Sequence, residues 1–408
     1  MKWLAFAYRN VLRNKRRTLL SVLIFSAGTA AILSATGFVS ASFHGLREAT
    51  IAGQLGHIQI GAKGQFAGFE KTPMDNGLSQ QQASAAMTNA AALPGVRFSM
   101  QRVLFEGLIA AGDRTLAVVG SGVEPEQETR LSGVFAAIVD GDSLPVSSEA
   151  DQNKVIIAVD LARALGVKAG DRVTVLATTE KGVLNAIDLI VSGIYRTGIP
   201  ELDRRAIMMP LATSQSLLDT QRISRVVVVL NDTARTDAVA QGLHARLTDL
   251  EIKRWIDLAP FYQQVVTLYS NIFGVLGAII LIVVLLSVSN AMLMSLFERI
   301  REQGTLRAFG IPALRIRQNF LLEGGIVGMI GGISGLLLAI VLALAINFSG
   351  IEMPPPPGRT TSYPLLIFIE PTAYGLTLLG MVIVGVLAAA LSLISSRRMT
   401  ILEQLNHN

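Results

Sequence analysis

Residues 258–310 read LAPFYQQVVTLYSNIFGVLGAIILIVVLLSVSNAMLMSLFERIREQGTLRAFG. The first part, Leu258–Phe297, contains no Asp, Glu, Lys or Arg; the second, Glu298–Gly310, is dense in them. A helix needs about 20 residues to cross a hydrocarbon core, so the first part is long enough to span a bilayer and the second is where it leaves. Three more stretches lack all four charged residue types: about Thr18–Phe43, Gly324–Ile351 and Pro371–Ser396. The whole chain of 408 residues is 51% hydrophobic and 16% charged, against about 25% charged in an ordinary soluble domain. The expected fold is an α-helical membrane protein with four transmembrane helices, carrying a large mixed α+β extracytoplasmic domain between the first and second.

Charge placement orients it. Lys2, Arg9, Arg13, Lys15, Arg16 and Arg17 precede the first span; Arg299, Arg301, Arg307, Arg315 and Arg317 lie between the second and third; Arg397 and Arg398 follow the fourth. Short basic connections stay cytoplasmic, so both termini are inside and residues 44–257 and the 352–370 loop are outside. The net charge of +5 is thus a topology signal, with anionic membrane lipid as a secondary contact and no nucleic acid implied. The first apolar run, roughly 25 residues, exceeds the 7–15 of a signal-peptide core, so an uncleaved span is expected.

These signals divide the chain into a cytoplasmic amphipathic helix (1–17), first span (18–43), extracytoplasmic domain (44–262), second span (263–297), cytoplasmic coupling segment (298–320), third span (321–347), outer Pro-rich loop (348–370), fourth span (371–396) and cytoplasmic tail (397–408). In the first segment Trp3, Leu4, Ala7 and Val11 follow helical spacing with cations around them, as in a helix lying in the inner interface; a plain basic flank reads equally well. The outer domain alternates strand-like runs (57–60, 104–110, 116–120, 155–159, 172–177, 187–194, 206–209 and 225–230) with helical ones (79–92, 161–165, 211–218 and 233–247). Residues 121–151, low in periodicity, divide it into two lobes. Pro354–Pro357 forms a stiff spacer or a docking strip.

No G-x-x-x-x-G-K-[ST] run occurs in these residues, so ATP and its magnesium are expected on a partner and no cofactor or metal directly on this chain. The histidines His44, His57, His244 and His407 lack ligand spacing and there are no cysteines, hence neither disulfides nor thiolate metal sites. With no G-x-S-x-G or H-E-x-x-H, no catalytic residue is assigned and the chain is not expected to be an enzyme by itself.

Two constellations remain. Gly324, Gly328, Gly331, Gly332 and Gly335 place glycines on one helical face, where a neighbouring helix can approach closely; the contact is either fixed packing or a surface that slides. The run Glu298–Gly310 reads as a charged helix that Gly310 stops, followed from Pro312 by another short helix, Ala313–Arg317. It either transmits force from a cytosolic partner or is a solvated loop. Phe38, Phe43, Phe261 and Tyr269, near the outer ends of the first two spans, are candidate lining of a substrate cavity or else interfacial anchors.

On these motifs the sequence resembles the FtsX/MacB/LolC-LolE class of ABC-transporter permeases. The resemblance lies in Arg9-Asn10…Arg13…Arg16-Arg17-Thr18-Leu19-Leu20, in Asn290…Glu298-Arg299…Arg301-Glu302…Gly304…Leu306-Arg307-Ala308…Gly310, and in Glu323-Gly324…Gly328…Gly331-Gly332…Gly335. In the outer domain it rests on Gly122-Val123-Glu124-Pro125, on Leu161-Ala162…Leu165-Gly166-Val167-Lys168…Gly170-Asp171, and on Gly193–Gly198. Where the family often ends in Pro-Ala-Arg, this chain has Ser395-Ser396-Arg397-Arg398.

The resemblance implies a protein of the bacterial inner membrane whose Glu298, Arg299, Arg301, Glu302, Gly304, Leu306, Arg307 and Gly310 couple it to a separate cytosolic ABC ATPase dimer. It also implies a second permease copy, identical or homologous, with a periplasmic adaptor or acceptor protein as a further partner. The expected function is release or export of a lipidated or amphiphilic substrate, as in lipoprotein release; MacB-type drug or peptide efflux and an FtsX-like scaffold for cell-wall hydrolases are the alternatives. Each buried CH₂ is worth about 0.8 kcal/mol, so three acyl chains of roughly 16 carbons represent on the order of 35–40 kcal/mol, and a lipidated substrate must pass between greasy surfaces.

Overall fold

The computed structural model describes residues 15–66, 77–132, 137–146, 153–355, 360 and 362–395. The interfacial helix expected over 1–17 and the tail 397–408 lie almost wholly or wholly outside these, as do Pro356 and Pro357.

The helices are α1 (Lys15–Thr50), α2 (Gln80–Ala91), α3 (Pro125–Ser132), α4 (Val159–Leu165), α5 (Pro200–Asp203), α6 (Leu211–Leu218), α7 (Thr236–Arg246), α8 (Pro260–Glu298), α9 (Ile300–Ala308), α10 (Ala313–Ser349) and α11 (Pro371–Ser395). The domain strands are β1 (Ile58–Ala62), β2 (Val96–Ala111), β3 (Arg114–Val123), β4 (Ala137–Gly141), β5 (Lys154–Ala158), β6 (Arg172–Thr178), β7 (Leu184–Arg196), β8 (Ala206–Pro210), β9 (Arg225–Leu230) and β10 (Leu250–Arg254). Two compact units result. One holds the described parts of residues 1–44, 265–353 and 364–408; the other holds 45–264 with the described parts of 354–363.

The first unit is a helical bundle. α1, α8, α10 and α11 are the four described helices long and apolar enough to cross a membrane. Phe25 of α1, Val284, Val288 and Met292 of α8, Val327 of α10 and Met381 and Ala388 of α11 form its main core. The sequence places a separate short helix at Ala313–Arg317. Instead these residues are the first turns of α10, which begins at the extended residue Pro312 and runs unbroken to Gly350, whose φ of +63° ends it. Proline fixes φ without needing an N–H, so it starts a helix as readily as it separates two.

The second unit is a ten-stranded sheet in the order β10-β1-β9-β2-β3-β8-β5-β7-β4, with β6 bridging β2 and β7. β2 joins its two ends: Val96–Arg102 pairs with β9, while Gly107–Ala110 pairs with β6. One core runs from Ile58 and Val228 to Val173 and Leu189. The sheet is therefore continuous across residues 121–151, where two lobes are expected from sequence. All eight sequence-read strands lie in or overlap observed strands. Ser79 caps α2 through a reciprocal capping box with Gln82. Beyond α1 the chain makes a π-turn, Ile51–Leu55, that ends at Gly56 with φ +65°.

Candidate functional site

At the end of the bundle formed by the α8–α10 connection, α8 stops at Glu298 and Arg299 takes non-helical angles (φ −103°, ψ 9°) before α9 begins. The break turns the Arg299 side chain inward. It is nearly buried and donates from Nη1 to both carboxylate oxygens of Glu323, at 3.3 and 3.1 Å, while Asn319 Nδ2 donates to Oε1 at 3.1 Å. Glu323 is buried one turn above Asn319 on α10. The charged pair therefore ties the root of α9 to the first turns of the third span.

α9 then ends in a tight closure. Gly310, at φ +83°, lets its own N–H reach Arg307 O and the Ile311 N–H reach Leu306 O. Of the expected coupling residues, Glu298, Glu302 and Gly310 are exposed, Leu306 and Arg307 are half-buried, and Gly304 is buried. Arg301 lies within α9. Arg299 differs from these in its surroundings: its side chain is nearly buried and its Nη1 pairs with Glu323. Two exposed apolar residues were missed in the sequence, Phe309 at 82% and Leu314 at 63%. Large apolar side chains bare to this degree beside Gly310, flanked by Arg307 and Arg315, present the composition of a protein-docking tip.

The glycines of α10 divide between two faces rather than sharing one. A Cβ at Gly324 or Gly328 would sit 2.3 Å from Gly385 O or 2.5 Å from Met381 O, so both face the α11 backbone, and Gly332 faces Leu378. At Gly331 the obstacle is Phe25 Cβ of α1 (2.3 Å), and at Gly335 Thr29 Cβ (2.5 Å). Positions 331 and 332 are about 100° apart on a helix of 3.6 residues per turn, which separates the two sets. α10 is thus clamped on both sides by backbone-close contacts.

At the opposite end of the same unit, α1 and α8 flank a cleft of about 410 Å³. Its inner end is Ile32, Leu276 and Ile280; its outer end is Ser40, Phe43, Ser270 and Glu370. The Ser40 hydroxyl donates to Glu370 Oε1. Phe43 lines the cleft directly. Phe38 and Tyr269 flank it through Phe273, with ring centroids 6.2 and 6.4 Å from that ring. Phe261 does not line it. It precedes the first lining residue of α8, Ser270, by nine positions, about 13 Å along a helix, and is 50% exposed.

A third cluster lies within the second unit. The Leu230 N–H donates to His57 Nδ1 (3.2 Å), which puts the ring proton on Nε2, donating to Thr233 Oγ1 (3.1 Å); that hydroxyl in turn reaches Glu48 Oε1 (3.4 Å). Burial lowers the His57 pKa to about 4, the Glu48 carboxylate opposing and Arg47 adding to the shift. The ring is therefore neutral at pH 7, as its acceptor role at Nδ1 requires.

The comparisons with known proteins fall on these same elements. A model of the MacB-like periplasmic core domain matches residues 18–246, more than half of the chain, and a model of the FtsX-like permease C-terminal region matches 274–401. The chain belongs to the MacB/FtsX-like permease family. Within that family it is 24% identical to the lipoprotein-releasing system transmembrane protein LolC of Xylella fastidiosa (strain Temecula1) over 349 residues, covering 81% of this chain and 79% of that one. It is 33% identical over 147 residues to the macrolide export ATP-binding/permease protein MacB of Azoarcus sp. (strain BH72), covering 34% of this chain and 22% of that one. The crystal structure of the periplasmic region of MacB from Actinobacillus actinomycetemcomitans aligns over 52% of this chain and 95% of its own, with 12% identity and a TM-score of 0.36. The permease is a multi-pass protein of the inner membrane, of ABC-transporter type, with its large domain between the first and second spans.

Proposed function

We propose that this permease couples ATP hydrolysis by a separate cytosolic ABC ATPase to movement of its periplasmic domain, and so releases or exports a lipidated or amphiphilic substrate. The observation that carries the reading is α9: a short charged helix with Phe309 bare at its tip, held to the third span by the buried Arg299–Glu323 pair. A force applied at such a tip passes into α10 without bending a loop, and α10 is clamped between α1 and α11. Glu298, Glu302, Leu306, Arg307 and Gly310 form or shape the docking surface, with Phe309 and Leu314 added to it. ATP and magnesium sit on the ATPase, and a second permease copy completes the complex.

The amphiphilic substrate is supported by the cleft between α1 and α8, which is apolar inward and polar at its outer end. A membrane amphiphile enters such a groove without exposing its chain to water, which avoids the cost of about 0.8 kcal/mol per CH₂. LolC-type relatives carry lipoprotein release in their name, and this chain spans most of one.

The test is purification from native membranes in mild detergent, with hydrolysis blocked, and identification of the co-purifying proteins by mass spectrometry. The expected result is an ABC ATPase together with an acylated protein. Recovery without any ATPase under conditions that preserve membrane complexes overturns the coupling reading, and an associated cell-wall hydrolase in its place would point to a scaffold.

A further inference from the structure

The cleft between α1 and α8 is greasy except at one end, and that end carries a negative charge. Glu370, immediately before α11, lines it; its Oε1 accepts from Ser40, and no Lys, Arg or His among the described residues is ion-paired with it. A carboxylate set against apolar walls attracts a cation more strongly than one in open water. Among the described residues one hydroxyl, that of Ser40, donates to this carboxylate and no cation is ion-paired with it.

The geometry along the two helices is ordered. Ser40, in the C-terminal half of α1, and Ser270, in the N-terminal half of α8, lie with Glu370 at the outer end of the cleft, whereas Ile32, Leu276 and Ile280 lie deeper along the same helices. From Ser40 to Ile32 is eight residues, about 12 Å of helix. A molecule filling this space has a charged head at the outer end and an alkyl tail pointing into the bundle. An anionic head would meet Glu370 with like charge, and a neutral head would leave the carboxylate without a counter-charge.

We infer that the cleft selects amphiphiles with a cationic ammonium headgroup, the ammonium seated against Glu370 and Ser40 and the tail against Ile32, Leu276 and Ile280. This rests on the reading of the cleft as the amphiphile's path, and gives it a charge class.

The test uses the purified chain in neutral maltoside micelles and three radiolabelled probes of equal tail length: dodecylamine, dodecanol and dodecyl sulfate. Saturable binding of dodecylamine is expected, with dodecanol weaker and dodecyl sulfate weakest. Hydrogen bonds to a charged group contribute roughly 1.5–3 kcal/mol, so Glu370→Gln should weaken dodecylamine about tenfold or more and leave dodecanol nearly unchanged. Glutamine keeps the shape and an acceptor for Ser40, and an unchanged unfolding midpoint confirms the fold. Ser40→Ala should retain the preference for the ammonium probe.

If dodecylamine and dodecanol bind saturably with equal affinity, and Glu370→Gln alters neither, the charge inference is overturned while the amphiphile path stands. If none of the three binds saturably, the path falls and the inference with it. Displacement of dodecylamine by added phosphatidylethanolamine assigns the ammonium to a bilayer lipid; persistence assigns it to a single-chain amphiphile, and either upholds the inference.

Discussion

Removing one partner of the Arg299–Glu323 pair is the perturbation with the largest consequence derivable from the bundle. The closest N–O distance is 3.1 Å, and both side chains are nearly buried, at 11% and 8% exposure. At an effective dielectric of about 20, unit charges at this separation attract by about 5 kcal/mol. Glu323→Gln deletes that attraction while leaving the Arg299 cation in place, and stranding a buried charge costs about 3–5 kcal/mol. Replacing both residues, Arg299→Met with Glu323→Leu, removes the stranded charge and should restore stability to near the parent value or above it. The assay is unfolding by SDS in mixed micelles, read as free energy for parent, single and double variants. Expected is a loss of about 3–5 kcal/mol in Glu323→Gln and recovery in the double variant. A single variant within about 0.5 kcal/mol of the parent refutes the reasoning, since the pair would then be hydrated like a surface ion pair. In a reconstituted complex the restored double variant should still respond poorly to its ATPase, because Met and Leu pack without fixing the direction of α9; full coupling would show that the pair is structural only.

Gly328→Leu should separate α10 from α11, because even a Cβ there meets Met381 O at 2.5 Å; a loss of about 1–3 kcal/mol in the same SDS assay is expected, and no loss would place the two helices farther apart than described here. Phe309→Ala, Arg307→Glu and Glu302→Lys should each leave the unfolding midpoint unchanged and reduce ATP turnover in a reconstituted complex; undiminished activity in all three removes the docking role from α9. His57 gives a pH dependence with a definite sign. Its pKa falls from 6.5 to about 4 on folding, so the unfolded chain binds more protons between those values and stability drops as pH falls through that window, by on the order of 3 kcal/mol in full. His57→Gln should flatten that part of the acid-stability profile, and an unaltered profile would show that other groups set it.

The spans were legible because a bilayer imposes a length and a charge-free composition, and neither depends on tertiary contacts. Strands such as Arg225–Leu230, with five consecutive apolar residues, were legible because nothing else buries them so completely. β4, Ala137–Gly141, was not: every one of its residues is exposed, so no burial pattern marks it. β10, LEIKR, alternates like many surface segments and becomes a strand by pairing with β1. The division expected at 121–151 rests on local irregularity of composition, while the continuity of the sheet is set by β2, whose 16 residues pair with β9, β3 and β6. In the site, the glycine spacing was visible but its split between two partners was not, since spacing of four says nothing about what lies opposite. Phe309 lay inside the quoted motif and was passed over because a lone Phe among charges reads as core until its exposure is seen.

Exposure itself means different things in the two units. Along α8, Val275, Ile279, Ile282, Val283 and Leu286 are all bare. In water such a surface would call for a partner, but lipid covers it at no cost, so it does not by itself argue for the second permease copy. What discriminates within a bilayer is charge. Arg299, at the break between α8 and α9, and Glu323, on the third span, bring opposite charges into the bundle and pair there; such a pair is suited to holding a shape. Glu370 stands at the lip of a cleft with a single hydroxyl, and no cation among the described residues pairs with it. The same physical rule that makes the first pair a strut makes the lone carboxylate an opening for something from outside the chain.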